Sequence, residues 1–226
     1  MVQGGQRNEE PRDRRRERRR AGRLLAWLAL AAILAAVTSS RPAVAEEGAA
    51  AVATRFNDAL LASMKNAEAL GYDGRFQQLR PMVESSFDVP FMAQKVLGRR
   101  WAELTEADRT RWQETFTELL TATYAGRFVG YRDQAFETLG EEPAARDTVL
   151  VKTRLVDPKG ENVDIDYRLL HTDRGWRIVD IYLKGTVSEL ALRRSEYSSV
   201  LEREGFPALL EAVKAKIGSL QRGEDK

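Results

Sequence analysis

Residues 162–183 read NVDIDYRLLHTDRGWRIVDIYL, and this stretch decides the fold class. Its first ten residues alternate between apolar and polar side chains, with Val163 and Ile165 set against Asp164 and Asp166. Such alternation is typical of a half-buried β-strand. The TDRG segment that follows is a tight-turn sequence, and an apolar run resumes directly behind it. Two strands joined by so short a connection are antiparallel.

The residues before this hairpin extend the sheet. Residues 148–156 predict another strand, and the DPKG segment at 157–160 is a turn with Pro and Gly at favoured positions. A weaker strand is predicted around residues 134–139. The sequence therefore predicts a mainly antiparallel sheet of four strands.

Helices are predicted on both sides of these strands. The spacing of apolar residues predicts a first helix over about 49–70 and a shorter one over 75–85, interrupted at Pro81. Asp88 is a predicted N-cap for a helix that runs to Leu97.

The next helix has the clearest signal. Thr105 and Asp108 form a capping-box-like start, and a broad apolar stripe runs from Trp112 to Tyr131. Helices over 188–204 and 206–220 close the chain. The order of helices, meander and helices predicts one α+β domain, with helices packed over one face of a curved sheet.

The formal net charge of +2 for 226 residues is unevenly distributed. Residues 1–23 carry a net +5, residues 24–37 are uncharged, and Ala-Val-Ala at 43–45 supplies small residues. This order predicts a secretory signal peptide over residues 1–45, and hence a mature chain over 46–226. Removing the leader leaves a formal charge of about −4, which excludes the basic footprint of a nucleic-acid-binding protein.

Composition excludes several kinds of site. There is no cysteine and only one histidine, so a disulfide framework, a thiol nucleophile and a multi-histidine metal site are excluded. We expect no cofactor, metal or catalytic residues. An enzyme remains the alternative, using Asp164, Asp166 or Asp180 together with His171. For Asp180, a structural pairing with an arginine such as Arg193 is the preferred interpretation.

Two arginine pairs, Arg99-Arg100 and Arg193-Arg194, are interpreted as solvated helix faces. The second pair is the better candidate for contacting a phosphate at a cavity mouth. Aromatic and methionine side chains concentrate at residues 87–92, 112–131 and 167–182. These residue types build either a filled core or the wall of an apolar cavity, and periodicity does not separate the two.

Several spaced segments resemble the MlaC-type (toluene-tolerance) periplasmic phospholipid-binding proteins. They are FDVPFMA at 87–93, FTELL at 116–120, GWRIVDI at 175–181, RSEY at 194–197 and GF at 205–206. The match covers most of residues 50–220. Residues 142–146 and 186–197 further resemble a subgroup associated with hopanoid biosynthesis and transport.

This resemblance implies a non-enzymatic, monomeric periplasmic carrier with a deep apolar pocket between sheet and helices. It would move phospholipid or a hopanoid-type lipid between an inner-membrane transporter complex and outer-membrane lipid-handling proteins. An exported adaptor without a ligand is the other alternative. The expected lipid-binding residues are Phe87, Phe91, Met92, Phe116, Leu120, Tyr124, Tyr167, Leu169, Ile181, Leu183, Leu190 and Tyr197.

Overall fold

The structure, a computed structural model, describes Met1 and residues 47–224. Apart from Met1, the predicted leader lies outside the described residues. The elements in chain order are α1 Ala49–Lys65, α2 Ala67–Ser86, α3 Val89–Leu97, a 3₁₀ helix Gly98–Glu103, α4 Glu106–Arg127, β1 Ala135–Ala144, β2 Thr148–Val156, β3 Val163–Thr172, β4 Gly175–Leu183, β5 Val187–Ser188 and α5 Glu189–Arg222.

The α+β fold class is confirmed, although the sheet has five strands where four were predicted. It is an antiparallel meander in the order β1-β2-β3-β4-β5. The additional strand, β5, pairs Val187 with Leu183 and Ser188 with Tyr182. Two residues are too short to give an alternation signal, which is why the sequence did not predict this strand.

Side-chain N-caps stabilise the helix starts that the sequence predicts. Asp88 accepts a hydrogen bond from the amide of Phe91, and Thr105 accepts one from the amide of Asp108. Ser188 does the same for Ala191 at the start of α5. Each cap satisfies a backbone donor that has no partner within its own helix.

Some predicted helix ends differ from the structure. The first helix ends at Lys65 and not near Leu70, and α2 continues through Pro81. Pro81 lies on the exposed side of α2, where solvent is available to the carbonyl of the preceding turn that receives no hydrogen bond from proline. Gly71 and Gly205 take positive φ values of 59° and 80° and break α2 and α5, because glycine adopts this backbone conformation without a steric penalty.

An aromatic cluster joins the helices to the sheet. The ring of Phe56 in α1 makes edge contacts with Phe87 and Tyr124 at centroid distances of 4.9 Å. It also meets Tyr167 of β3 at 6.1 Å. The indole of Trp112 donates a 3.0 Å hydrogen bond to the Ala93 carbonyl and ties α4 to α3. These contacts pack α1, α3 and α4 against the sheet.

Candidate ligand-binding cavity

A cavity of about 500 Å³ lies between the helices and the helix-facing side of the sheet. Its wall is formed by α1, α3, α4, the loop after α4, three strands and the start of α5. The lining is largely apolar. The apolar members are Met64, Met92, Leu120, Tyr124, Phe128, Val129, Leu155, Val163, Ile165, Ile181, Leu183 and Leu190.

Strand register explains which sheet residues reach this cavity. Directly paired residues of antiparallel strands project from the same face. Ile165 pairs with Leu183, Leu155 pairs with Val163, and all four line the cavity. The pairing of β2, β3 and β4 therefore builds a continuous apolar floor.

A β-bulge brings Ile181 onto the same floor. The register shifts so that Arg168 pairs with Asp180 while Leu169 pairs with Ile178, which leaves Val179 as the extra residue. A bulge reverses the alternation of the strand beyond it. Ile181 therefore faces the helices, as Ile178 does, although three positions separate them.

The loop after α4 contributes polar side chains, Arg132 and Gln134, to the cavity wall. Arg132 donates a 2.6 Å hydrogen bond to Asp157, and Gln134 donates a longer one to the same carboxylate. The backbone amide of Lys159 and the nearby Arg132 charge lower the pKa of Asp157. Arg132 is therefore already neutralised by its own partner.

In the part of the wall that α5 forms, Arg193 lies 3.7 Å from the carboxylate of Glu189. It also donates a 3.4 Å hydrogen bond to the hydroxyl of Tyr197. The Arg193 and Glu189 side chains are only 15% and 17% exposed. This is a shielded ion pair beside an apolar cavity, where charge interactions are stronger than in bulk water.

Half of the twelve predicted lipid-binding residues line the cavity. These are Met92, Leu120, Tyr124, Ile181, Leu183 and Leu190. The other six do not line it. Phe87, Phe116, Tyr167 and Leu169 are at most 1% exposed and lie in the packed core.

The remaining two predicted residues also have other contacts. The ring of Tyr197 packs edge-on against Trp112 at 5.6 Å. Phe91 is half-buried, and the ammonium group of Lys95 lies 5.0 Å from its ring centroid. On α4 and on β3, core residues and cavity-lining residues follow the same sequence periodicity because they project from the same face. Only their position along that face decides whether a side chain packs in the core or lines the cavity.

Several residues that line the cavity were not among the twelve predicted from the sequence. Leu155, Val163 and Ile165 could have been found from strand register, since they pair with one another or with a nominated residue. The loop contributes Val129, Gly130 and other residues, and no periodic signal marks a loop. Arg127 and Glu189 also line the cavity.

The polar residues of the enzyme alternative do not line the cavity. Asp164 forms a 2.6 Å ion pair with Arg154. Asp166 accepts a hydrogen bond from the amide of Thr153. The ring of His171 meets Trp176 at the far end of β3, five residues from Asp166 and so roughly 17 Å along the strand.

The predicted pairing of Asp180 with Arg193 is wrong. Asp180 is buried, as expected, but its carboxylate accepts hydrogen bonds from the Ser188 hydroxyl at 2.7 Å and the Leu190 amide at 3.1 Å. It also accepts one from the amide of Ile181. Backbone and hydroxyl donors at the start of α5 lie closer than the arginine, which pairs with Glu189 instead.

Both the sequence and the structure of this chain match known proteins. The model of the family described as MlaC protein matches residues 54–215. The chain belongs to the MlaC family. The structure is also similar to that of a phospholipid-binding protein from Ralstonia solanacearum, solved in complex with a phospholipid. The TM-score is 0.67 at 26% identity, covering 76% of this chain and 98% of that one.

Within residues 47–224, no helix is both long and apolar enough to cross a membrane. Over the same residues, no cluster of three or more histidine or acidic side chains could hold a metal ion.

Proposed function

We propose that this MlaC-family chain is a periplasmic carrier that encloses the apolar part of a phospholipid or hopanoid-type lipid in its cavity. The cavity of about 500 Å³ with its largely apolar wall carries this proposal. That volume lies within the roughly 300–1,000 Å³ of small-molecule sites. The Ralstonia relative, solved with a phospholipid, supports a lipid as the occupant.

The energetics suit a carrier. Burying a methylene away from water is worth about 0.8 kcal/mol, so a lipid with long chains would bind almost irreversibly if it came from water. Lipid tails in a bilayer are already dry, however. Transfer from bilayer to cavity is therefore near balance, which allows both loading and release.

The cellular route is part of the same proposal. A leader at residues 1–45 would direct export, and the mature chain 46–226 would work as a monomer between an inner-membrane lipid transporter complex and outer-membrane lipid-handling proteins. Its charge of about −4 gives little attraction to anionic membrane surfaces. Loading and release would then occur in docked complexes with these partners.

The test is to purify the protein after expression of the full chain and to identify co-purifying lipids by native mass spectrometry and solvent extraction. We expect a stoichiometric lipid, with its identity deciding between phospholipid and hopanoid. A delipidated sample should reload from vesicles. Protein that takes up neither lipid class would contradict the carrier and favour the ligand-free adaptor.

A further inference from the structure

The residues that line the cavity are not equally shielded from solvent. Among the lining residues that the structure describes, the exposed ones are Arg127, Val129, Gly130 and Arg132. All four come from one segment, the end of α4 and the loop behind it. A residue that faces both the cavity and the solvent marks the place where the cavity reaches the surface. Residues 127–132 are therefore called the mouth segment.

The mouth segment presents two large apolar side chains to solvent. Val129 is 54% exposed and Tyr131 is 38% exposed. Apart from Met1, the other exposed large hydrophobic residues of the described chain lie one each on β1, β5 and α5. Singly scattered apolar groups are ordinary on a protein surface, whereas adjacent ones mark interaction sites. This pair lies where a lipid would cross between the cavity and its source.

Two cations beside these side chains have no counter-ion among the described residues. The ammonium group of Lys65, at the end of α1, lies 5.3 Å from the ring centroid of Tyr131. Arg127 belongs to the mouth segment itself. Both residues are exposed, and neither forms an ion pair with a residue that the structure describes. Their charges are therefore available to an external partner.

The carboxylates next to the mouth segment do not cancel these charges. Asp157 pairs with Arg132 at 2.6 Å, and Asp133 lies 3.6 Å from the ammonium group of Lys159. Each carboxylate thus has a cation of its own. These four groups and the two cations without a counter-ion carry a formal charge of +2, although the mature chain as a whole carries about −4.

Apolar side chains flanked by cations fit the surface of a bilayer that contains anionic lipid. Tyrosine favours the depth at which headgroups meet acyl chains, and each nearby Lys or Arg strengthens attraction to an anionic surface about fivefold. The same patch is small for a protein partner, because a stable protein interface uses about 20–30 residues on each side. A brief contact with a bilayer requires no such area.

We infer that the mouth segment, together with Lys65, contacts the surface of an anionic bilayer, and that lipid passes between bilayer and cavity there without entering water. The proposal rests on the proposed function and adds the surface through which lipid is exchanged. Exposing one methylene to water slows departure about fourfold, so a long acyl chain would leave through water extremely slowly. Contact removes this barrier. In a docked complex, the mouth segment would face the bilayer beside the partner.

The experiment follows the transfer of a phospholipid with a pyrene-labelled acyl chain from the loaded protein to acceptor vesicles. The vesicles contain phosphatidylcholine, with or without phosphatidylglycerol. If lipid is transferred on contact, the initial rate increases in proportion to vesicle concentration. The rate should also be at least about tenfold higher with phosphatidylglycerol, and added salt should remove most of that difference because it screens exposed charges.

Two pairs of variants locate the contact. Lys65→Gln should slow transfer to phosphatidylglycerol vesicles about fivefold, and Lys95→Gln should not. Lys95 is the matched control because its ammonium group also lies over a ring, 5.0 Å from the centroid of Phe91, but on α3. Tyr131→Glu should slow transfer to both kinds of vesicle several-fold. Leu139→Glu, at a 50% exposed site in β1, should leave the rate unchanged.

The amount of lipid carried is a separate measurement. None of the four substituted side chains lines the cavity, so solvent extraction should recover the same amount of lipid from each variant as from the unmodified protein. A slower rate at equal load therefore reports the contact and not the cavity.

The outcomes separate the two proposals. A rate that does not depend on vesicle concentration would mean that lipid leaves through water, and would overturn this inference while the carrier stands. A concentration-dependent rate that is equal in all four variants would place the contact on another surface and contradict it too. Loaded protein that transfers nothing to vesicles would assign the exchange to a protein partner instead. Failure of the unmodified protein to load the probe would overturn the carrier, and the bilayer contact with it.

Discussion

The hydroxyl of Tyr167 donates a 2.6 Å hydrogen bond to Oδ1 of Asn57 and joins β3 to α1 across 110 positions of sequence. Both residues are at most 1% exposed. This bond holds the tyrosine in the core, directly across the β3–β4 pair from Ile181, which lines the cavity. Tyr167 therefore supports the floor of the cavity without forming its surface.

Removing that hydroxyl should destabilise the fold. In Tyr167→Phe, Oδ1 of Asn57 is left without a donor, and its Nδ2 already has no partner among the described residues. A buried unsatisfied group costs about 1–3 kcal/mol, and we expect that loss in urea unfolding. Tyr131→Phe, at a 38% exposed site, should change the free energy of unfolding by less than about 0.5 kcal/mol. Equal effects would show that the bond contributes nothing.

Filling the cavity should weaken lipid retention. In Leu190→Trp the indole displaces about two methylenes, each worth about 0.8 kcal/mol, so the protein-to-vesicle partition coefficient should fall roughly tenfold. Leu192→Trp is the matched control, two residues along α5 and 46% exposed. If both variants retain lipid as the unmodified protein does, the lipid does not occupy this cavity.

Asp180 should control the start of α5. In Asp180→Ala the Leu190 amide and the Ser188 hydroxyl lose their acceptor, and we expect a loss of at least about 2 kcal/mol in the free energy of unfolding. Relative to the unmodified protein, amide hydrogen exchange in this variant should accelerate most in the first two turns of α5. These turns place Leu190 and Arg193 in the cavity wall. Asp173→Ala, in the exposed turn between β3 and β4, should leave both measurements unchanged. Unaltered exchange in the Asp180 variant would contradict this role.

Asp166 should make stability depend on pH. Burial is the main cause that raises its pKa above the ordinary value of 3.8. The folded chain therefore holds this proton more tightly than the unfolded chain, and ionisation lowers stability as pH rises from the unfolded pKa through the raised one.

Asp166→Asn removes that ionisation and keeps an acceptor for the Thr153 amide. The free energy of unfolding of the variant, relative to the unmodified protein, should increase between about pH 4 and pH 7. Urea titrations at several pH values measure this difference. A decrease over the same range would mean that the folded state favours the ionised carboxyl.

Much of the fold follows from local sequence signals. The turn residues at 157–160 and 172–175, the caps at Asp88 and Thr105, and the breaks at glycines all act over a few residues. Their physical causes are therefore visible in the sequence. The strand alternation likewise requires only the residues of one strand.

Which residues line the cavity depends on contacts between residues that are distant in the sequence. Strict alternation from Ile178 would turn Asp180 and Tyr182 toward the helices, but the bulge at Val179 turns Ile181 and Leu183 there instead. Whether Phe116 or Leu120 of one helical stripe reaches empty space depends on how deep each lies between the layers. Neither fact leaves a periodic signal in the sequence.

The most direct measurement is a crystal structure of the lipid-loaded protein. We expect acyl-chain density in the cavity, within about 4.5 Å of Leu120, Ile181 and Leu190. Lipid density on another surface, with only ordered water in this cavity, would contradict the account.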